Sequence, residues 1–162
     1  MPPPTPPCAP TSWPGDAVAD RRPRGRGPRP AGAAVAGFSH VAVDVDDLDA
    51  AKAFYCGTLG FTELRRPDFG FPGAWLAVGD LQLHLAVVEG DRPPAVGFPH
   101  FALHVPADAF EATMAALRDA GVAFLGEPGS RVDFGTTTVR AAFVADPAGN
   151  VIELTDVGPP AG

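Results

Sequence analysis

The chain of 162 residues is long enough for one domain of ordinary size, and its hydrophobic content of 46% is sufficient for a buried core. Its net charge of −7 combines two unlike regions. Residues 1–36 hold five arginines, two acidic residues and 10 of the 20 prolines, whereas residues 37–162 hold seven basic and 17 acidic residues. Nucleic acid binding needs a basic surface, so the acidic second region excludes a nucleic acid partner.

The N-terminal region has the composition of a disordered tail. Residues 1–36 consist mostly of Pro, Ala, Gly and Arg without apolar periodicity, and they cannot bury enough apolar surface to offset the entropy of ordering.

No apolar run approaches the ~20 residues of a membrane span, and the N-terminus has no signal-peptide pattern. Cys8 and Cys56 form no CxxC motif, which fits a reducing compartment. We therefore expect a cytoplasmic protein with no membrane partner.

After Gly37 the pattern becomes that of a folded domain. Alternating β-branched and polar residues predict a strand over residues 38–45. Apolar residues at helical spacing then predict a helix from Asp46 to Leu59, with acidic residues at its N-terminal end. Three further strands are predicted, at residues 61–65, 73–79 and 81–88.

The same order of elements then repeats. A strand is predicted at residues 100–105 and a helix at 107–120, followed by strands at 122–125, 136–145 and 151–155. Loops are expected around residues 65–73, 89–99 and 126–135. A βαβββ unit that occurs twice at a spacing of roughly 60 residues predicts an internal repeat. The expected fold is therefore α+β, with modules 38–88 and 99–156 in one domain over residues 37–157.

Four potential metal ligands occupy equivalent positions in the two modules. His40 and His100 lie at the start of the first strands, and His84 and Glu153 lie in the middle of the last strands. A pseudo-two-fold relation between the modules would bring these four side chains towards one axis. Three imidazoles and a carboxylate suit one divalent ion such as Zn, Ni, Mn, Co or Fe. His104 lies ~13 Å along the strand from His100, too far to bind the same ion.

Residues 37–156 resemble the vicinal oxygen chelate superfamily, which includes glyoxalase I, fosfomycin-resistance and bleomycin-resistance proteins, and extradiol dioxygenases. The matching stretches are HVAVDVDDLDAAKAFYCGTLGF, GAWLAVGDLQLHL, PHFALHV and GTTTVRAAFVADPAGNVIEL. The resemblance implies paired modules that form an open U-shaped barrel around a metal ion, often within a homodimer. It also implies the ligand set His40, His84, His100 and Glu153.

The resemblance further implies a reaction in which the metal chelates two adjacent oxygens of a small molecule and stabilises an oxyanion or enediolate. We expect a lyase or isomerase of the glyoxalase type, with Glu153 as the catalytic base. Glyoxalase I usually has Glu or Gln where this chain has His84. Two alternatives remain open, a non-catalytic binding protein of the bleomycin-resistance type and an extradiol-type dioxygenase.

Four further residues are candidates for substrate binding. Arg66 could anchor a substrate carboxylate, and Phe69 and Trp75 could line the pocket. His104 is expected on the pocket floor or in the core, with an acid/base role behind the metal ligands as the alternative. Each also has an ordinary structural interpretation, as a solvated surface arginine in the case of Arg66 and as a core residue in the case of the other three.

Overall fold

The computed structural model describes residues 38–90, 98–134 and 137–158, which form two four-stranded sheets and two helical segments. The elements of the first module are β1 (His40–Val45), α1 (Leu48–Lys52) with a π-helical continuation (Ala53–Thr58), β2 (Thr62–Leu64), β3 (Gly73–Val78) and β4 (Leu81–Val87). Those of the second are β5 (His100–His104), α2 (Phe110–Asp119), β6 (Ser130–Phe134), β7 (Thr137–Ala145) and β8 (Val151–Thr155). The tail predicted at residues 1–36 lies outside the described residues.

The two sheets have the same topology. Their strand orders are β1-β4-β3-β2 and β5-β8-β7-β6, and in each sheet the first strand of the module pairs in parallel with the last. The registers also correspond, because Ala42 lies opposite His84 in one sheet and Ala102 lies opposite Glu153 in the other. The predicted α+β fold of two βαβββ modules is therefore confirmed.

The first helix begins where the acidic residues predict. The carboxylate of Asp47 accepts a hydrogen bond of 2.9 Å from the backbone N–H of Ala50, which satisfies one of the unpaired donors of the first turn. The second half widens into a π-helix, and the N–H of Leu59 donates to the carbonyl of Phe54. Gly60, at a φ of 75°, takes the left-handed conformation just past the end of the helix.

No helix within the three described ranges is long and apolar enough to cross a membrane.

Two predicted boundaries in the second module are wrong. The predicted strand at 122–125 makes an isolated bridge between Phe124 and Val144, and the second strand of this module is instead β6, inside the expected loop 126–135. β6 is an edge strand that pairs only with β7, and its sequence SRVDF has two charged residues, so its apolar signal is weak. Helix α2 starts at Phe110 rather than 107, because residues 107–109 form a turn after Pro106.

The hydrophobic core lies on one face of each sheet. In β4 the inward residues are Leu83 and Leu85, and in β8 they are Ile152 and Leu154, as strand alternation requires. These side chains belong to one buried cluster that also contains residues of both helical segments, among them Ala51, Phe54, Tyr55, Phe110, Met114 and Leu117. The opposite sheet faces, which carry the candidate ligands, are therefore directed away from the core.

A buried hydrogen bond joins the two modules. The hydroxyl of Tyr55 donates to Asp146 Oδ2 at 2.8 Å, and Asp146 also accepts from the backbone N–H groups of Ala148 and Asn150. The side chain of Asn150 donates to the carbonyl of Asp44 in the first module. Burial, together with the adjacent carboxylate, raises the pKa of Tyr55 well above its usual range, so its hydroxyl remains a donor. The turn DPAGN thus fastens the second module to the first.

Replacing Tyr55 by phenylalanine is expected to lower the free energy of unfolding by about 1–3 kcal/mol, because it removes a buried hydrogen bond to a charged acceptor. Urea denaturation measures the change. Thr113→Val is the matched control, since the Thr113 hydroxyl donates to the carbonyl of Ala109, the residue just before its own helix, and this bond does not join the two modules. If Tyr55→Phe were no less stable than Thr113→Val, the hydrogen bond would not be a significant link between the modules.

Candidate metal centre

His40 and His84 form a stacked pair on the first sheet. They lie on the adjacent strands β1 and β4, and their ring centroids are 4.1 Å apart with planes inclined by 10°. Trp75 lies directly opposite His84 on β3, and its ring stacks on His84 with a centroid distance of 4.5 Å. Three neighbouring strands therefore present three parallel rings on the face that is directed away from the core.

Each ring of this pair has one nitrogen in a hydrogen bond with a neighbouring side chain. Nε2 of His84 donates to Oε1 of Gln82 at 2.8 Å, and because an amide oxygen only accepts, the lone pair of the neutral ring is on Nδ1. Nδ1 of His40 makes a hydrogen bond of 2.9 Å with Ser39 Oγ. Burial, and then the neighbouring His40 and Arg66, lower the pKa of His84. The neutral imidazole that a metal ion requires is thus favoured.

His100 and Glu153 form the corresponding pair on the second sheet. Nδ1 of His100 donates to the carbonyl of Phe98 at 2.9 Å, which leaves the lone pair of the neutral ring on Nε2. This nitrogen faces Glu153 Oε2 at 3.1 Å, so two acceptors would repel each other without a proton or a cation between them. Two ligand atoms bound at about 2.1 Å to one ion, at right angles, are about 3 Å apart. The pair therefore fits a divalent metal ion.

Aromatic rings surround the second pair as well. Phe143 lies opposite Glu153, as Trp75 lies opposite His84, and its ring is perpendicular to that of His100 at 5.5 Å. The ring of Phe98 lies 5.5 Å from His100 and remains 55% exposed. Sequence reasoning missed Phe143 as a neighbour of the ligands, although the repeat register, once known, assigns it the place of Trp75. The role of the Phe98 carbonyl as hydrogen-bond acceptor for His100 could not be predicted from the sequence, because every residue type has such a carbonyl.

The four predicted ligands do not converge within one chain. The structure brings together His40 with His84 and His100 with Glu153. Among the described residues, no group of three or more His, Cys, Asp or Glu side chains is placed so that it could hold a metal ion. Both helical segments pack into one core on the sheet faces opposite the candidate ligands, so this packing does not bring the two pairs together.

Three of the four candidate substrate residues are grouped beside His84. A cavity of about 500 Å³ is lined by Leu64, Arg65, Arg66, Pro67, Asp68, Trp75 and Gln82. Phe69 is not in its wall, but its ring lies 5.8 Å from Trp75 and 4.9 Å from the guanidinium carbon of Arg66. The predicted loop around residues 65–73 therefore does border the first ligand pair.

His104 belongs to a different cavity. A space of about 1000 Å³ lies between the modules, bounded by the end of the π-helix, the β3–β4 turn, α2 and β8. His104 lines this space from β5, and its ring packs against the backbone of Gly158. It therefore lines a cavity other than the one that Arg66 and Trp75 line.

Comparisons with known proteins agree with this architecture. The sequence profile of the Glyoxalase/Bleomycin resistance protein/Dioxygenase superfamily matches residues 37–154. A probable lactoylglutathione lyase from Synechocystis sp. is 35% identical over 125 residues, which cover 71% of this chain and 91% of that protein.

Two solved structures show the likeness in three dimensions. A fosfomycin resistance protein from Listeria monocytogenes superposes with a TM-score of 0.64 at 18% identity, over 76% of this chain and 93% of that one. A lactoylglutathione lyase from Agrobacterium tumefaciens superposes with a TM-score of 0.58 at 20% identity, over 76% and 95%. At these identities the superpositions show the shared fold. The matching profile and the 35% identical relative establish that the chain belongs to the glyoxalase/bleomycin resistance protein/dioxygenase superfamily.

Proposed function

We propose that this protein is a divalent-metal-dependent enzyme of the lyase or isomerase type that acts on a small molecule with vicinal oxygens. The observation that carries the proposal is the pair of His100 and Glu153, in which Nε2 faces a carboxylate oxygen at 3.1 Å while Nδ1 is held by a backbone carbonyl. His40 and His84 supply a second pair at the equivalent register of the other sheet, with their rings stacked. Similarity to a probable lactoylglutathione lyase supports the reaction class.

We further propose that the complete site forms between two copies of the chain. Each pair offers only two ligands, whereas the divalent first-row ions named above take four or more. In a dimer with two-fold symmetry, the pair His40 and His84 of one copy can face the pair His100 and Glu153 of the other, and the symmetry makes two such sites. The exposed ring of Phe98 beside His100 supports this arrangement, because a second copy would cover it.

The residues have distinct roles in the proposed reaction. A divalent ion bound there would polarise two adjacent substrate oxygens and stabilise negative charge that develops on them. Glu153 would remove a proton from a carbon next to a carbonyl and return it to the neighbouring carbon, so that no oxidant or reductant is needed. The hydrogen bond from His100 to the Phe98 carbonyl keeps the imidazole oriented. Trp75 packs against His84 and restricts its ring.

Metal analysis and an activity panel test this proposal. We expect about one metal ion per chain in the purified dimer. A chelator should lower both Tm and the conversion of a hemithioacetal formed from methylglyoxal and glutathione, and added metal should restore both. A protein that contains no metal and keeps its Tm with chelator would contradict the proposal and favour a binding protein. Oxygen consumption with catechol would instead favour a dioxygenase.

A further inference from the structure

The guanidinium of Arg66 has an unsatisfied donor. It lies between two aromatic rings, with its central carbon 4.9 Å from the centroid of Phe69 and 4.7 Å from that of Phe71. Nη1 makes only a long hydrogen bond of 3.4 Å to the carbonyl of Pro67. Nη2 is buried and has no hydrogen-bond partner among the residues that the structure describes. A buried donor without an acceptor is costly, so this nitrogen would gain from an anionic ligand.

Two other basic side chains are paired with acidic residues, whereas Arg65 lines the same cavity as Arg66. Lys52 is paired with Glu63 at 2.6 Å, and Arg140 is paired with Asp156 at 2.7 Å. Arg66 forms no ion pair with any carboxylate in the described part of the chain. Residues 37–162 carry seven basic and 17 acidic side chains, so a substrate anion meets a repulsive surface unless a local cation attracts it. Arg66 supplies such a cation, beside Arg65 in the wall of the same cavity.

The carboxylate nearest in sequence does not take this role. Asp68 lines the same cavity as Arg66, but its Oδ1 accepts a hydrogen bond of 2.8 Å from the backbone N–H of Gly70. It therefore closes its own turn, and it forms no ion pair with Arg66. Its negative charge would disfavour an anion in the cavity, so anion binding there depends on the positive charge of Arg66.

The position of Arg66 is set by the start of β3. At Gly73, a Cβ atom would collide with the carbonyl oxygen of Leu85 and would lie 3.4 Å from both Nε and Nη2 of Arg66. The guanidinium thus packs onto a glycine surface that no other residue would leave free. Trp75 and Gln82 line the cavity beside Arg66 and also contact His84, so the cavity adjoins the first ligand pair.

We propose that Arg66 is the anion-binding residue of a substrate subsite and selects vicinal-oxygen compounds that also carry a carboxylate. A guanidinium donates two parallel hydrogen bonds to a carboxylate, which suits it to this task better than a lysine. The rings of Phe69 and Phe71 are about half exposed, so either can turn aside for a ligand with little loss of buried apolar area. This inference rests on the proposed function, because the substrate oxygens would bind at the metal ion that His84 helps to hold.

Matched ligands provide the test. The probes are 3,4-dihydroxybenzoate and its methyl ester, which share the vicinal oxygens and differ in the carboxylate. Calorimetric titration of the metal-loaded protein should show that the acid binds more tightly than the ester by roughly tenfold or more. Arg66→Met should abolish this preference, and Arg66→Lys should retain part of it. Arg118→Met is the control, because Arg118 also stacks on a ring, that of Phe124, but lines neither cavity.

The outcomes separate this inference from the proposed function. Equal binding of acid and ester by the unsubstituted, metal-loaded protein would overturn the subsite and leave the metal proposal standing. A preference that persists in Arg66→Met would also overturn it. The titrations are repeated on chelator-treated protein. An acid preference that depends on Arg66 there would support the subsite even if the protein holds no metal.

Discussion

Replacing His100 by alanine is expected to lower metal affinity by more than about 100-fold, because loss of a partner that only orients a ligand already costs 10–100-fold. The substitution removes the Nε2 that faces Glu153 and leaves that carboxylate without its neighbour. Activity in the hemithioacetal assay should fall by at least as much. Competition with a chromophoric chelator measures the affinity, and elemental analysis measures the metal content.

His104→Ala is the matched control for this experiment. His104 lies on the same strand and the same face as His100, but it lines the other cavity. We expect this variant to keep its metal content. Comparable metal loss in both variants would mean that the strand as a whole, and not the His100 nitrogen, determines binding. Full metal content in His100→Ala would remove that residue from the ligand set.

The sequence predicted the sheets well because each module repeats the same local signals. Asp47 could be placed at the helix start from its acidic neighbours, and the structure shows its carboxylate capping that helix. Strand alternation places Leu83 and Leu85 in the core and the candidate ligand His84 on the other face of β4, since neighbouring side chains of a strand point to opposite faces. The paired registers of the ligands followed from the repeat.

What the sequence did not predict depends on pairing and packing between distant segments. β6 is stabilised by its backbone hydrogen bonds to β7. Its polar sequence SRVDF lacks the apolar alternation from which a strand is predicted. The acceptor for His100 is a backbone carbonyl, that of Phe98, and any residue type could supply it. Similarly, the sequence left open whether Arg66 anchors a substrate or is a surface arginine, and it gave no indication that the guanidinium packs against Gly73.

The arrangement of the two ligand pairs was the least predictable feature of the site. An internal repeat implies related modules, but it does not say which faces of the two sheets meet. Tyr55 and Phe110 come from different modules and lie in the same core, so the helical faces meet within one chain. The ligand-bearing faces are left for another surface, which we propose to be a second copy.

A complementation experiment tests this shared site most directly. His84→Ala and His100→Ala are each expected to be inactive as homodimers. In a mixed dimer, purified with two different tags, one site loses both histidines, and the other keeps both pairs intact. The account predicts that the mixed dimer regains about half of the wild-type activity and binds about one metal ion per dimer. A mixed dimer that stays inactive and metal-free, although it assembles, would contradict a site shared between two copies.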